Sequence, residues 1–568
     1  MSALDWAVVV ITLAGVVLYG VWRSRGERGL DDYLVAGRSL AWPMVAFSVM
    51  STQASAITFL STPGQAYADG MRFLQFYFGL PIAMVVLAAT AVPIFHRLRV
   101  FTAYEYLETR FDAKTRALAA LLFLIQRGLA AGLTIYAPSL ILSVVLGWSI
   151  QWTILAIGAL VMAYTVFGGS KAVSHTHSLQ FAVIWSGLAI VAVVIASRLP
   201  HGISALDALA VAGRLGRLNI VDPTFDLENR YNLWSGLIGG CFLAMSYFGT
   251  DQSQVGRYLT GRSVTQSRLG LLFNGLAKVP MQFVVLGVGA LVFAFYLFTP
   301  PPVFFNPEPL RAVERSELAP EFERAAGIQR AAATERADRA RALVEARRLR
   351  DPAAVAQAGA ALEQAHRDVE AARGATIDVL QKADPGLNPN DVNYVFLRFV
   401  LQNLPVGIIG LVLAMVFSAS MSASSAEMSA LSSTTIVDVW KRWLGGGGKP
   451  MHELHASRWI TLMWGVFAIG FAEFAGRLGS LVEAVNVLGS LFYGTILGIF
   501  LTAFYLKRVG GTPVFIAAIV AEAVVLACFR WSKISFLWFN VVGCLVVIGL
   551  AAILALLVPR WRQVARTA

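Results

Sequence analysis

Along most of its length the chain repeats one pattern: an apolar run about as long as a helix needs to cross a bilayer, then a short polar interruption. Hydropathy predicts about thirteen such segments, at 5–23, 42–69, 73–96, 115–147, 150–168, 173–198, 232–256, 266–298, 392–438, 457–474, 479–506, 512–529 and 535–558. Two of them are polar or glycine-rich in mid-span. Segment 42–69 contains "MSTQASAITFLSTPG", with Ser51, Thr52, Gln53, Ser55 and Thr58, and segment 232–256 contains Gly239-Gly240 followed by "CFLAMSYFGTDQ". Broken helices at corresponding positions of two repeats mark a transporter's midplane binding site, and unwound backbone is tolerated in a membrane only where it lines a cavity or an ion site. The pattern predicts two five-helix halves, 42–198 and 232–506, the second interrupted by residues 305–390 and so composed of 232–304 and 391–506. A leading helix and loop (1–41) precede them, an outer loop (199–231) separates them, and two further helices with a short cytoplasmic tail (507–568) follow.

The interruption at 305–390 is rich in Ala, Arg and Glu, strong helix formers of mixed charge. It predicts two water-exposed helices turning at Asp351-Pro352, either a coiled-coil-like hairpin or a partner-docking arm. "GGGG" at 445–448 predicts a flexible connection.

Composition narrows the class. At 57% hydrophobic and 14% charged residues, with a mean hydropathy of +0.65, the chain is an all-α polytopic membrane protein and no set of soluble domains. Lys and Arg concentrate in alternate loops: Arg23, Arg25, Arg28 and Arg38; Arg97, Arg99 and Arg110; Lys171; Arg257, Arg262 and Arg268; Lys441 and Arg442; Lys507 and Arg508; and Arg560, Arg562 and Arg566. The positive-inside rule makes these loops cytoplasmic. An odd number of crossings then sets the N-terminus outside and the C-terminus in the cytoplasm of a multi-pass protein in a bacterial inner (plasma) membrane. Arg72, Arg477, Arg530 and Lys533 are exceptions on the other face. The net charge of +12 reads as this bias, with no patch for nucleic acid. Segment 5–23 lacks a preceding cation and a cleavage motif and reads as a retained helix. Cys241, Cys528 and Cys544 sit in apolar segments without disulfide or metal spacing.

Several stretches resemble the sodium:solute symporter family: "DDYLVAGRSLAW" (31–42), "VFTAYEYLETRF" (100–111), "IYAPSLILSVVLG" (135–147), "YTVFGGSKAVSHTHSLQ" (164–180), "GTDQSQVGRYLTGRS" (249–263), "AKVPMQF" (277–283) and "GSLFYGTILGIFLTAF" (489–504). The resemblance runs from about residue 5 to residue 506, apart from the 305–390 insert. It implies a LeuT-like 5+5 inverted-repeat fold and alternating access driven by sodium. It also gives a reason for "FSASMSASSAEMSALSSTT" (Phe417–Thr435), a cluster of hydroxyls and one acid inside an apolar chain. The family holds sodium through carbonyls that fall here on Ser51, Ala54 and Ala419, and through two neighbouring hydroxyls, the first being Ser422. Neutral oxygen ligands suit a hard cation bound reversibly. For Ser429, Ser432, Ser433, Thr434 and Thr435, helix packing and backbone hydrogen bonds are the simpler reading.

Three residues depart from the family pattern. Residue 423 is Ala, which removes the second hydroxyl; His177 stands where an Asp is common; and Glu427 replaces a neutral amide on the helix face of Ala423. An ionisable group inside a membrane span is a functional candidate by default. Either Glu427 and Ser425 compensate in the sodium site, or Glu427 and His177 form a proton-handling pair. His175 fits a place at the cytoplasmic interface beside Lys171.

For the solute, the resemblance implies Ser55, Thr58, Phe73, Tyr77, Gln126, Arg127, Tyr247 as aromatic gate, and Lys278. The family's sugar-binding acids and amides are replaced by Ile57, Thr58 and Tyr77, which disfavours a sugar. A mid-membrane guanidinium needs a partner, and its planar fork suits a carboxylate. Arg127 resembles the arginine that clasps the carboxylate in the family's sialic-acid branch, which points to a small organic anion; a structural ion pair is the competing reading. A channel would need a continuous polar pore, and an enzyme a nucleophile and base or a motif such as HExxH; neither is present. The short tail after 558 argues against a sensor. The expected partners are a small solute, sodium and the bilayer, with no cofactor.

Overall fold

The structure is a computed structural model in which residues 1–23, 36–443 and 450–558 are described. The glycine run at 445–448, residues 31–35 of the 31–42 motif, and Arg25, Arg28, Arg560, Arg562 and Arg566 lie outside the described residues, as do the side chains of Arg23, Lys171 and His175. Every described element is helical, apart from one isolated bridge between Leu40 and Gly261.

In chain order, α1 is Ala3–Arg23, α2 Trp42–Gln53 and α3 Ala56–Asp69, followed by a 3-10 turn at Gly70–Tyr77. Then come α4 (Leu80–Ala89), α5 (Ala91–Leu98), α6 (Glu105–Arg110), α7 (Ala113–Leu146), α8 (Ile150–Ser197) and α9 (Ala205–Arg214). A π-turn at Ser235–Gly239 opens α10 (Gly240–Gly249), and α11 (Gln252–Tyr258), α12 (Val264–Phe298), α13 (Pro307–Val313), α14 (Ala319–Leu349) and α15 (Pro352–Ala383) follow. The remainder is α16 (Val392–Asn403), α17 (Ile408–Thr434, prolonged by a π-turn at Thr435–Trp440), α18 (Pro450–Ala475), α19 (Leu481–Tyr505), α20 (Gly511–Trp531) and α21 (Phe536–Leu557).

Among the described residues, 8 helical stretches are long and apolar enough to cross a membrane, and shorter apolar ones occur at Ala3–Tyr19, Ile150–Ala163 and Ser235–Gly249. The thirteen expected segments therefore do not map one to one. Segments 150–168 and 173–198 join in the single 48-residue helix α8, because no proline interrupts 150–197. Segment 392–438 instead splits into α16 and α17 at Leu404–Gly407, where Pro405 lacks a donor and Gly407 has φ +88°. The new helix start is held by the buried carboxylate of Asp5 on α1, which accepts from the backbone N–H of Gly407 at 2.7 Å and of Gly410 at 3.2 Å.

The insert is a hairpin turning at Asp351-Pro352, with Asp351 accepting from Ala353 N–H at 2.9 Å to cap α15. It does not stand free in water. Ala340, Leu343 and Val344 of α14 and Leu362 of α15 pack on Phe293, Leu297 and Phe298 of α12 and on Val211 of α9. Small alanines on one face of each helix let the hairpin lie close against the membrane helices.

Candidate solute and ion site

Two pairs of consecutive helices are separated by short non-helical breaks. Between α2 and α3, Ala54 (φ −84°, ψ 67°) and Ser55 (φ −79°, ψ 170°) leave the helix. Between α10 and α11 the break falls at Thr250 (φ −133°, ψ −22°) and Asp251 (φ −78°, ψ 119°). Within the expected interruption of 232–256 the break thus falls at "GTDQ" and not at Gly239-Gly240, which serve close packing: a Cβ on Gly240 would lie 2.4 Å from the carbonyl oxygen of Phe76. Backbone freed at such breaks must find ligands or line a cavity. At the first break Ser55 borders a cavity of about 130 Å³, walled also by Gln53, Thr58, Tyr77, Gln126, Arg127, Tyr247, Lys278, Glu427, Asn486 and Tyr493; at the second, the freed Thr250 carbonyl accepts from Tyr104 Oη at 2.8 Å.

Arg127, on α7, is 3% exposed, and both its terminal nitrogens are engaged by the protein, with Nε left without a partner among the described residues. Its guanidinium donates to Glu427 Oε1 at 2.9 Å, to Tyr493 Oη at 2.6 Å and to Asp251 Oδ2. Tyr493 also donates to Asp251 at 2.8 Å, and the Tyr247 ring lies 5.5 Å beneath the guanidinium. This cluster joins α7, α17 and α19 to the second broken helix. Of the two readings open for Arg127, the structure favours the ion pair. Glu427 is correspondingly spent on Arg127, with no bond to the serines around Ala423.

Lys278, on α12, differs. It is 2% exposed, its ammonium sits 5.6 Å from the centroid of the Tyr77 ring, and among the described residues no charged group acts on it. A buried charge without a partner is costly.

The proposed ion ligands lie on the other side of the first break. Ser422 Oγ donates to the Ser51 carbonyl at 3.2 Å, so two expected ligands are already neighbours. Ser425 Oγ donates to the Ser422 carbonyl at 3.0 Å. His177 is fully buried against the same helix: Nδ1 is 3.1 Å from Ser48 Oγ, and its carbonyl accepts from Ser51 Oγ at 3.1 Å. Of the other hydroxyls of this helix, Ser433 bonds to the Ala430 carbonyl, Thr435 to that of Leu431, and Ser432 reaches Ser457 on α18, whereas Ser418, Ser420, Ser424 and Thr434 are buried without a hydrogen-bond partner among the described residues, so the backbone bond expected of Thr434 is not made.

Of the expected solute residues, Ser55, Thr58, Tyr77, Gln126, Arg127, Tyr247 and Lys278 line the cavity. Phe73 does not. The 3-10 winding of Gly70–Tyr77 eclipses residues three apart, so Phe73 stacks on Phe76, with centroids 5.4 Å apart, and Phe76 takes the cavity wall. Asp251, Asn486 and Tyr493 were not singled out from the sequence. Asp251 stands within "GTDQ" and Tyr493 within "GSLFYG", polar groups inside apolar segments that hydropathy alone flags.

Comparison with known proteins agrees with this geometry. The model of the sodium:solute symporter family matches residues 33–317 and 383–521, and the gap is the hairpin. The human sodium/iodide cotransporter is 32% identical over 52% of this chain and 46% of its own length. The mouse sodium-coupled monocarboxylate transporter 1 is 26% identical over 87% of this chain and 67% of its own length. This chain thus spans about half to two thirds of these relatives. A solved structure of a Na+-coupled sialic acid symporter, substrate-bound and outward-open, shares the fold with a TM-score of 0.75 at 21% identity, over 98% of each chain.

Proposed function

The chain belongs to the sodium:solute symporter family, and on that premise we propose that it moves a small carboxylate-bearing anion together with sodium by alternating access. The observation that carries the reading is the contrast between the two buried cations. Arg127 is neutralised by Asp251 and Glu427, whereas Lys278 faces the cavity with no counter-charge, so a negative solute supplies what the cavity lacks. The role first expected of Arg127 passes to Lys278. A cavity of about 130 Å³ suits a solute of few heavy atoms. Two relatives are named for an anion, iodide or a monocarboxylate.

Sodium is assigned to the carbonyls of Ser51, Ala54 and Ala419 and the hydroxyl of Ser422, with Ser425 behind it. All are neutral oxygens, and no carboxylate takes the place of the hydroxyl missing at Ala423. The hairpin lies on the outer face, the loops around Arg99, Arg257 and Arg442 lie in the cytoplasm, and residues 42–198 and 232–506 form the two repeats. A second reading has one supporting observation: the imidazole of His177, buried beside the ion ligands, would couple transport to protons, with Glu427 as its partner.

The test is uptake of radiolabelled propionate, benzoate and iodide, with glucose as neutral control, into proteoliposomes under a sodium or a pH gradient. Sodium-driven uptake of the carboxylates, abolished in Lys278→Met, is the expected result. Uptake of glucose alone sinks the anion reading, and uptake driven by pH alone turns the ion reading over to His177.

A further inference from the structure

On the hairpin side of the solute cavity, α3 and the start of α19 are held together by a polar seam. Ser61 Oγ lies 3.3 Å from Ser480 Oγ, Ser480 donates to Gln65 Oε1 at 3.0 Å, and the N–H of Val482 donates to Ser61 Oγ at 3.2 Å. Gln65 also lines a second cavity, of about 380 Å³, formed jointly by α3, α12, α16 and the two hairpin helices. Residues of the insert that the family model skips thus complete a chamber beside the seam.

Four arginines line this chamber. Arg373 is paired with Asp391 at 2.6 Å and Arg230 with Glu483 at 2.6 Å. Arg217 and Arg336 have no carboxylate within 4 Å among the described residues. Arg336 is 2% exposed, donates to the Tyr296 carbonyl at 2.9 Å, and keeps its Nε without a partner. Arg217 lies 4.6 Å from the Phe293 ring centroid, again with Nε unpartnered. The remaining acids stand farther off: Asp69 is bonded by Gln65, and Glu370 is exposed. Arg336 Nη1 lies 3.5 Å from His366 Nδ1; a buried and a half-buried guanidinium, each with Nε unpartnered, are a fork for an oxyanion.

We propose that this chamber is a second anion site, in which Arg217 and Arg336 hold the carboxylate of the solute before it crosses the α3–α19 seam to Lys278. The inference rests on the solute being a carboxylate. It gives the hairpin a part in solute capture, and it places the solute next to Gln65, a member of the seam that must part for the solute to pass.

The experiment uses the full chain with propionate and benzoate as probes, and chloride at equal ionic strength as control. Arg217 makes no side-chain hydrogen bond among the described residues, so Arg217→Gln is the primary variant and Arg336→Gln the second, each checked for a wild-type sodium-dependent rise in unfolding temperature. In proteoliposomes, Arg217→Gln is expected to raise the KM for propionate about tenfold with Vmax retained. In detergent without sodium, benzoate binding is expected to survive in Lys278→Met and to vanish in Arg217→Gln. Unchanged KM and unchanged binding in both arginine variants overturn the site, and so does chloride competing as well as benzoate. Failure of the two readings is distinguishable. Carboxylate uptake with a silent Arg217→Gln removes the chamber and leaves the function, whereas Arg217-dependent binding without uptake by the wild type does the reverse.

Discussion

Arg127 and Lys278 are two cations buried in the wall of one cavity, and their surroundings give them opposite parts. Arg127 reaches two carboxylates and a phenol, so its charge is consumed in tying the second broken helix to α7, α17 and α19. Lys278 reaches an aromatic face and the cavity. In a membrane span, what a charge does is set by the counter-charges that can reach it, because the surrounding hydrocarbon supplies none. The more specific carboxylate ligand by chemistry, the guanidinium, is therefore the one whose charge is already met within the protein.

The strongest way to break this comparison is Arg127→Met, which leaves Asp251 and Glu427 buried without their cation. The expected cost is about 3–5 kcal/mol, seen as a large drop in unfolding temperature or loss of folded protein. Adding Asp251→Asn and Glu427→Gln to it should recover most of the loss; a single variant as stable as wild type would mean the cluster is not an ion pair. Lys278→Met is the counter-experiment. It should leave stability unchanged or raised while uptake of an anion at low concentration falls roughly thirtyfold or more, and a stability loss like that of Arg127→Met would erase the distinction.

A smaller effect concerns the cation that comes from solution. Ser422→Ala should weaken sodium affinity about tenfold, roughly 1–2 kcal/mol, read from the sodium dependence of the unfolding temperature. Ala423→Ser should shift it the other way, and an unchanged sodium response in both would remove Ser422 from the site. The smallest effect lies in the hairpin. Burial, with Arg336 and Arg217 nearby, lowers the His366 pKa to about 4 from the usual 6.5. The unfolded chain then takes up the proton first, so the stability from neutral His366 is complete above pH 6.5 and is lost as pH falls toward about 4. Allowing for its partial exposure, the loss should be about 1 kcal/mol. His366→Gln should flatten that part of the pH profile of unfolding.

Much of the fold was legible in advance because its signals are local. Apolar runs marked most of the membrane helices, Asp351-Pro352 marked the hairpin turn, and "MSTQASAITF" marked the first break. Errors arose where a local signal had two physical uses. Gly239-Gly240 stood out within segment 232–256, yet Gly240 admits the 3-10 turn of Gly70–Tyr77 and Gly239 admits Leu537 of α21, and the chain unwinds at Thr250–Asp251. Phe73 was assigned to the cavity by position, and the change from α to 3-10 winding turned Phe76 into its place.

From residue order alone came the membrane class, the family, the hairpin and most of the side chains that line the cavity, since hydropathy and motif spacing depend only on neighbours along the chain. Which cation remains available to a solute was decided by the tertiary structure. The carboxylates that neutralise Arg127 lie 124 and 300 residues away from it in the chain. Only the packing of α7 against α17, α19 and the second broken helix brings those charges within hydrogen-bonding distance, and leaves Lys278 without one among the described residues.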